Sequence, residues 1–202
     1  GKSLCYQLPA LVAASLTLVV SPLIALMRDQ VKQLRVLGIA AASLSSGNTA
    51  ADNRSAMEGA RARRLRLLYA APERVAKTEV LAELRAARVD CMVVDEAHCV
   101  SQWGHDFRPD YLGLGAVRDA LGARQTLAFT ATADAVTRHD VAARLFPAPP
   151  EIFVHGFDRP NLRLAMTPKD GRARQIEAFV ARHRGLSGIV YCASRRGAEE
   201  TA

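Results

Sequence analysis

The sequence predicts an α/β protein in which a parallel sheet is flanked by helices, and three observations carry that expectation. Short apolar, β-prone runs alternate with stretches of helical apolar periodicity, the rhythm that parallel strands joined by crossover helices require. The run Cys91-Met92-Val93-Val94 has no polar interruption, as a strand buried on both faces would, and it ends in two carboxylates, Asp95 and Glu96. The chain also opens with Gly1-Lys2-Ser3 running directly into a helical pattern, so backbone N–H groups and the positive end of a helix dipole would face an anion there.

In order, residues 4–14 read as a helix and 17–21 as a strand. Pro22 then opens a helix whose apolar face uses Leu23, Leu26, Met27, Val31, Leu34 and Leu37, with Gly38 ending it. Residues 39–44 form the next strand, and the polar turn Ser45-Ser46-Gly47-Asn48 leads to a helix over 51–63 and a strand over 65–69. A helix over 76–87 precedes the strand into Asp95, and a long loop runs to Tyr111. Helix 117–121, strand 126–130 and helix 134–145 complete a series that reads as a RecA-like or doubly wound sheet.

Pro147-Ala148-Pro149-Pro150 breaks the rhythm and reads as a rigid link, with a domain boundary expected between residues 156 and 157. Residues 151–155 are one more strand, which the pattern leaves open to either side. Strand 162–166, helix 173–183, strand 188–192 and a helix from Arg195 then resume the alternation. Some fifty residues do not complete such a domain, so the chain is expected to stop inside a second one.

The composition is that of an ordinary soluble globular chain: 202 residues, half of them hydrophobic, suffice for a substantial core. No apolar stretch approaches a membrane span and no leader-like segment opens the chain, so a cytoplasmic location is the default expectation. The net charge of +7 suits an anionic partner. It is spread along the chain, with +3 on residues 151–202, and 23 of the 27 basic residues are arginine, a bias shared with the abundant alanine. Cys5, Cys91, Cys99 and Cys192 lie far apart without a Cys-x-x-Cys pair, which argues against a disulfide framework and a zinc knuckle. His98, Cys99, His105 and Asp106 do bring metal-ligand residue types within eight positions, but no spaced pair matches a structural zinc site.

Chemistry concentrates where the buried strand ends. A carboxylate at the carboxyl edge of a parallel sheet, as at Asp95, can hold the Mg²⁺ that accompanies nucleotide phosphates. A second beside it, Glu96, can orient or deprotonate water. Alone, the pair would favour a solvated strand end, since acidic residues commonly terminate strands. Gly1-Lys2-Ser3 changes the balance, because these are the last three positions of a phosphate-binding P-loop, whose lysine reaches β and γ oxygens and whose serine hydroxyl ligates Mg²⁺. Downstream, Trp103 and Phe107 can stack on bases and Arg108 can add charge, or the same residues can form a small satellite core under a loop.

These residues carry a specific resemblance, over essentially the whole chain, to the helicase core of RecQ-family ATP-dependent DNA helicases, which is built from two RecA-like domains. Gly1-Lys2-Ser3-Leu4-Cys5-Tyr6-Gln7-Leu8-Pro9-Ala10 resembles motif I, Val20-Ser21-Pro22-Leu23-Ile24-Ala25-Leu26 motif Ia, and Tyr69-Ala70-Ala71-Pro72-Glu73-Arg74 motif Ib. Asp95-Glu96-Ala97-His98, a DEAH box, resembles motif II, residues 101–111 the family's aromatic-rich loop, and Ala128-Phe129-Thr130-Ala131-Thr132-Ala133 motif III. Phe157-Asp158-Arg159-Pro160-Asn161 and Ile189-Val190-Tyr191-Cys192-Ala193-Ser194-Arg195 are similar to the entry into the second domain and motif IV.

The resemblance implies ATP and Mg²⁺ as cofactors. It places Gly1, Lys2 and Ser3 on the phosphates, Ser3 and Asp95 on Mg²⁺, and Glu96 on the hydrolytic water, with His98 coupling motif II to Thr130 and Thr132. It implies single-stranded DNA contacts at Ser21, Arg74, Trp103, Phe107, Arg108 and Arg195, through phosphates and stacking rather than base edges. Taken singly, Ser21, Arg74 and Arg195 are equally ordinary caps or surface groups, and His98 a polar residue at a strand end. Translocation in the 3′ to 5′ direction, forks or junctions as substrates, and a role in DNA repair and recombination follow from the likeness alone.

Departures matter too. The upstream glycines of motif I, the adenine-reading motif, motifs V and VI with their arginine finger, and the zinc-binding and winged-helix domains are absent from the sequence. The 202 residues by themselves are therefore expected to be nearly inactive. A strand preceding the P-loop, beside those of motifs II and III, is missing as well, and unpaired sheet edges are the expected cost. The rival readings are an RNA helicase of the DEAD-box type, which the loop over 103–111 disfavours, and a non-enzymatic nucleic-acid-binding module, which would not need Lys2 and Glu96.

Overall fold

Five parallel strands, β1 (Leu16–Val20), β2 (Ala41–Leu44), β3 (Leu67–Ala70), β4 (Val89–Val94) and β5 (Gln125–Ala128), form one sheet in the order β2-β3-β1-β4-β5. The computed structural model describes residues 2–13, 15–103, 106–156 and 160–202. Each strand is followed by helix, and every connection lets the next strand run parallel. Contacts divide the chain into two compact units, Gly1–Ile152 and Phe153–Ala202.

The first unit holds the sheet. Its helices are α1 (Leu4–Val12), α2 (Ile24–Val36), α3 (Ala50–Arg61), α4 (Pro72–Val75), α5 (Thr78–Ala86), α6 (Leu114–Leu121) and α7 (Ala135–Leu145). Strand alternation sorts the core into two layers. Leu18, Leu68, Met92 and Val94 face α3, α5, α6 and α7, while Val19, Tyr69 and Val93 face Tyr6 and Ala10 of α1 and Met27, Val31 and Leu34 of α2. Both faces of β4 are thus covered, as its uninterrupted apolar run predicts. Met92 is fully buried, and truncating such a side chain to alanine costs about 2–5 kcal/mol.

Local chemistry sets the element ends. The helix expected over 76–87 is α5, and a short helix that was not expected, α4, precedes it, opened by Pro72 at its first turn, where a missing N–H costs nothing. Thr49 accepts from Asp52 N–H at 3.1 Å, and Asp52 answers with a bond to Thr49 N–H, a reciprocal cap that starts α3. The stripe of α2 is narrower than predicted: Met27, Val31 and Leu34 are buried, whereas Leu23, Leu26 and Leu37 are exposed. Leu23 is the cap position and Leu37 lies past the last turn, so neither follows the helical face. α6 and α7 approach closely at Gly115, where a Cβ would run into the Arg144 carbonyl.

β4 and β5 pair directly, so the strand expected beside both does not separate them, and β5 is an outer strand that is half exposed. In the second unit, α8 (Arg172–Arg182) and α9 (Arg195–Glu199) match the expected helices, and Ser194 caps α9 by accepting from Gly197 N–H at 3.0 Å. Residues 151–155, 162–166 and 188–192 are not strands. A parallel strand gets its hydrogen bonds from neighbours, not from its own pattern, and none of these segments pairs with a described residue; Leu164 is 95% and Met166 98% exposed. Among the described residues no helix is long and apolar enough to cross a membrane.

Candidate nucleotide and nucleic-acid site

The start of α1 and the carboxyl ends of β4 and β5 bring the described candidates of motifs I, II and III together. Asp95 N–H donates to Val20 O at 2.9 Å, which carries the ladder one residue past β4. The chain then turns sharply at Glu96, whose φ of 48° is left-handed and costly for a side chain with a Cβ. Asp95 Oδ1 accepts Glu96 N–H at 3.0 Å and supports that turn. Its consequence is direction: Glu96 faces Lys2 on one side, Nζ to Oε1 3.7 Å, and His98 on the other, Nδ1 to Oε2 3.4 Å.

His98 is buried and its Nδ1 lies 2.9 Å from Thr130 Oγ1. Thr130 Oγ1 in turn accepts from Thr132 N–H and donates to Thr132 O, both at 3.2 Å. Ala97 N–H donates to Phe129 O at 2.8 Å. The segment after β4 and the segment after β5 are therefore tied by one main-chain bond and one side-chain contact.

Burial holds the Asp95 carboxyl above the usual carboxylate range, opposed by the Glu96 N–H bond and nearby Lys2. A group made costly to ionise by desolvation gains from a cation brought to it. Lys2 Nζ is itself buried and, apart from the ion pair with Glu96, has no hydrogen-bond partner among the described residues. An ammonium in that condition, at the start of α1 beside Ser3, fits a phosphate oxygen. Ser3 makes no capping bond to α1; its side chain is hydrogen-bonded to Tyr6 instead, a bond its hydroxyl would have to exchange to meet an Mg²⁺ ion. Gly1 lies outside the described residues.

The loop from Ser101 to Tyr111 starts and ends against this turn. Arg108 N–H donates to Cys99 O at 3.0 Å, and Tyr111, fully buried, donates its hydroxyl to Asp95 O at 3.1 Å. The aromatic segment thus lies at the same edge of the sheet as Asp95 and Glu96. Between these anchors Trp103 is 76% exposed, which excludes a satellite-core role for it, whereas Phe107 and Arg108 are half-buried. Arg108 pairs with Asp106 at 3.0 Å and holds that carboxyl below its usual range. Gly104 and His105, the latter part of the possible metal cluster, lie outside the described residues.

His98, Cys99 and Asp106 bring donor atoms within 4.8 Å of one another. The positive charge at that spot is already supplied by Arg108, and burial pushes the Cys99 thiol up to about 11.

The remaining nucleic-acid candidates are placed unevenly. Ser21, just after β1, is 2% exposed; Arg74 lies in α4, just after β3; and among the described residues neither the buried Ser21 hydroxyl nor the buried Arg74 Nε has a hydrogen-bond partner. Arg195 opens α9 in the second unit and is exposed there. Phe157, Asp158 and Arg159 of the expected domain entry lie outside the described residues. Sequence reasoning missed the bond from Tyr111 to the Asp95 carbonyl. It also missed Gln7, which donates to Gln30 Oε1 at 2.9 Å and to Tyr69 Oη at 3.1 Å and so fastens α1 to α2 and β3. Neither has a local signal, because both join residues distant in sequence.

Comparison with known proteins is consistent with this geometry. The profile described as DEAD/DEAH box helicase matches residues 1–141. An ATP-dependent DNA helicase RecQ from Pasteurella multocida is 44% identical over 202 residues, covering 100% of this chain and 32% of that protein. Its counterpart from Haemophilus influenzae is 42% identical over the same length, covering 100% and 33%. An ATP-dependent DNA helicase Q-like 4B from Arabidopsis thaliana is 43% identical over 209 residues, covering 99% and 18%. The chain spans about a third or less of the length of these relatives. A solved hypothetical ATP-dependent RNA helicase from Sulfolobus tokodaii shares the fold, with a TM-score of 0.55 at 22% identity over 73% of this chain and 43% of that one.

Proposed function

The chain belongs to the DEAD/DEAH box helicase family, and from that premise we propose that it forms the nucleotide-hydrolysing part of an ATP-dependent DNA helicase of the RecQ type. Residues 1–156 serve as the first RecA-like domain and 157–202 as the beginning of the second. One observation carries the reading: Glu96 stands between the Lys2 ammonium and His98, and His98 reaches Thr130.

Lys2 binds the β and γ phosphates and neutralises charge that builds on the transferred group. Ser3 and Asp95 would hold Mg²⁺, which would supply further stabilisation of the same charge. Glu96 orients the attacking water and accepts its proton at a carboxylate oxygen. His98, Thr130 and Thr132 report the state of that carboxylate to the segment after β5.

Trp103 presents an indole to unpaired bases, with Phe107 and Arg108 supporting the grip, and Tyr111 fixes the far end of the loop to the Asp95 carbonyl. Nucleotide state and grip on a single strand share one short linkage. Movement in the 3′ to 5′ direction along single-stranded DNA, action at forks and junctions, work in repair and recombination, and residence with the nucleoid in the cytoplasm complete the proposal. In the intact protein that contains this chain, Glu96→Gln is expected to abolish ATP turnover while nucleotide binding persists. Turnover at the wild-type rate would replace the proposal with a binding module, and stimulation by RNA in preference to DNA would replace it with an RNA helicase.

A further inference from the structure

A groove of about 850 Å³ runs along the outer edge of β2, bounded by α2 on one side and α3 on the other, three strand positions away from β4. Its walls carry Arg28, Lys32 and Arg35 of α2, one helical stripe at i, i+4 and i+7, and Arg64 from the turn before β3. Asp52 is the one carboxylate among the described lining residues, and it is engaged by Thr49 as the cap of α3. The surrounding segment, residues 28–66, holds eight basic and three acidic residues, so the charge spread thinly elsewhere is concentrated here.

We infer that this groove binds the sugar-phosphate backbone of a nucleic-acid strand, as a second contact surface beyond the aromatic loop. Two plausible occupants are a polynucleotide and an extended acidic peptide, and the strand edge separates them. An added peptide strand needs the outward carbonyls of β2. Ala41 O already accepts from Arg35 Nε at 2.8 Å, and Ser43 O from Asn48 Nδ2 at 2.7 Å. Arg28 reaches the Gly47 carbonyl and closes the same end. The edge is blocked to β-addition while the groove stays basic, which suits phosphates.

Among the described residues no aromatic lines the groove, so contact is through charge and carries no sequence preference. From Arg28 to Arg35 the helix rises roughly 10 Å, the length of about three nucleotides at the rise of one duplex strand. A strand leaving the loop after β4 crosses the ends of β1 and β3, where Arg74 sits, before reaching β2. That lateral path is about 14 Å. The inference rests on the DNA-binding reading above.

Lys32 and Arg64 are exposed, and neither side chain has a hydrogen bond or ion pair among those found between described residues, so Lys32→Gln with Arg64→Gln should leave the fold intact. The test is fluorescence anisotropy of a labelled oligo-dT strand over a salt series, with melting temperature as the folding control. The double substitution is expected to weaken binding about fivefold or more and to flatten the log-affinity against log-salt slope by about 1.4, or 0.7 per lost phosphate contact. Lys32→Arg with Arg64→Lys should restore both. Unchanged affinity and slope in a protein that still binds the strand would overturn this inference alone. Absence of any strand binding by the wild type would overturn it together with the DNA-binding reading. A poly-glutamate peptide that binds in a Lys32- and Arg64-dependent way while oligo-dT affinity is indifferent to both would assign the groove to an acidic protein instead.

Discussion

Two neighbouring stretches of this chain obey opposite physical rules. From Asp95 to Val100 nearly every polar group is placed: a left-handed turn at Glu96, a bond from Ala97 to Phe129, and His98 buried against Thr130. From Ser101 to Tyr111 the backbone is fastened at its two ends, and a large apolar side chain, Trp103, is left in solvent. The first arrangement suits chemistry that needs fixed geometry. The second suits a grip on a partner that changes from one nucleotide to the next. Tyr111 joins them, because its hydroxyl, at the end of the second stretch, is bonded to the carbonyl of Asp95, which starts the first.

The largest way to break the contrast is at its fixed side. Glu96→Gln in the intact protein should lower ATP turnover by about a hundredfold or more, with nucleotide affinity retained in equilibrium binding. A fall in affinity alone would mean that Glu96 does not position water. Next is the helix packing behind the turn. Gly115→Ala should destabilise the fold by about 1–3 kcal/mol, because the new methyl meets the Arg144 carbonyl of α7. Chemical denaturation reads this directly, and an unchanged midpoint would show that α6 and α7 can separate.

Tyr111→Phe keeps the buried ring and removes the hydroxyl, so it should cost about 1 kcal/mol of stability. If the loop and the turn are coupled, it should also reduce the stimulation of ATP turnover by single strands. Loss of stability with full stimulation would reduce Tyr111 to packing. The smallest effect concerns Cys99. Its thiol is pushed up to about 11 by burial and by Asp106, whereas an unfolded thiol ionises nearer 9. The folded state therefore keeps this proton longer than the unfolded one, and the stability this group contributes is complete below about 9 and declines as pH rises towards 11. Thiol labelling near pH 8 should modify the exposed Cys5 and spare Cys99 until the protein unfolds. Equal labelling would show the turn to be open.

Legibility followed the same divide between local and distant causes. The strand into Asp95 and the helix starting at Leu4 were readable because a buried parallel strand and a helix start have local signatures, and the described motif residues of the first unit, from Lys2 to Thr132, gather at the strand ends as the resemblance implies. The segments over 162–166 and 188–192 also read as strands in the sequence and yet form none. A sheet is made by lateral partners, which a one-dimensional pattern does not contain. The same reason hid the bond from Tyr111 to Asp95 O and the groove beside β2, since α2 and α3 meet there only after the chain has folded around the strand edge.

The central claim is that hydrolysis at Asp95 and Glu96 is tied to a grip on an unpaired strand by Trp103. The direct measurement is the ratio of ATP turnover with and without saturating oligo-dT, in the intact protein and in its Trp103→Ala form. A ratio that collapses towards one on substitution is the result predicted here, and a ratio that stays at its wild-type value would contradict it.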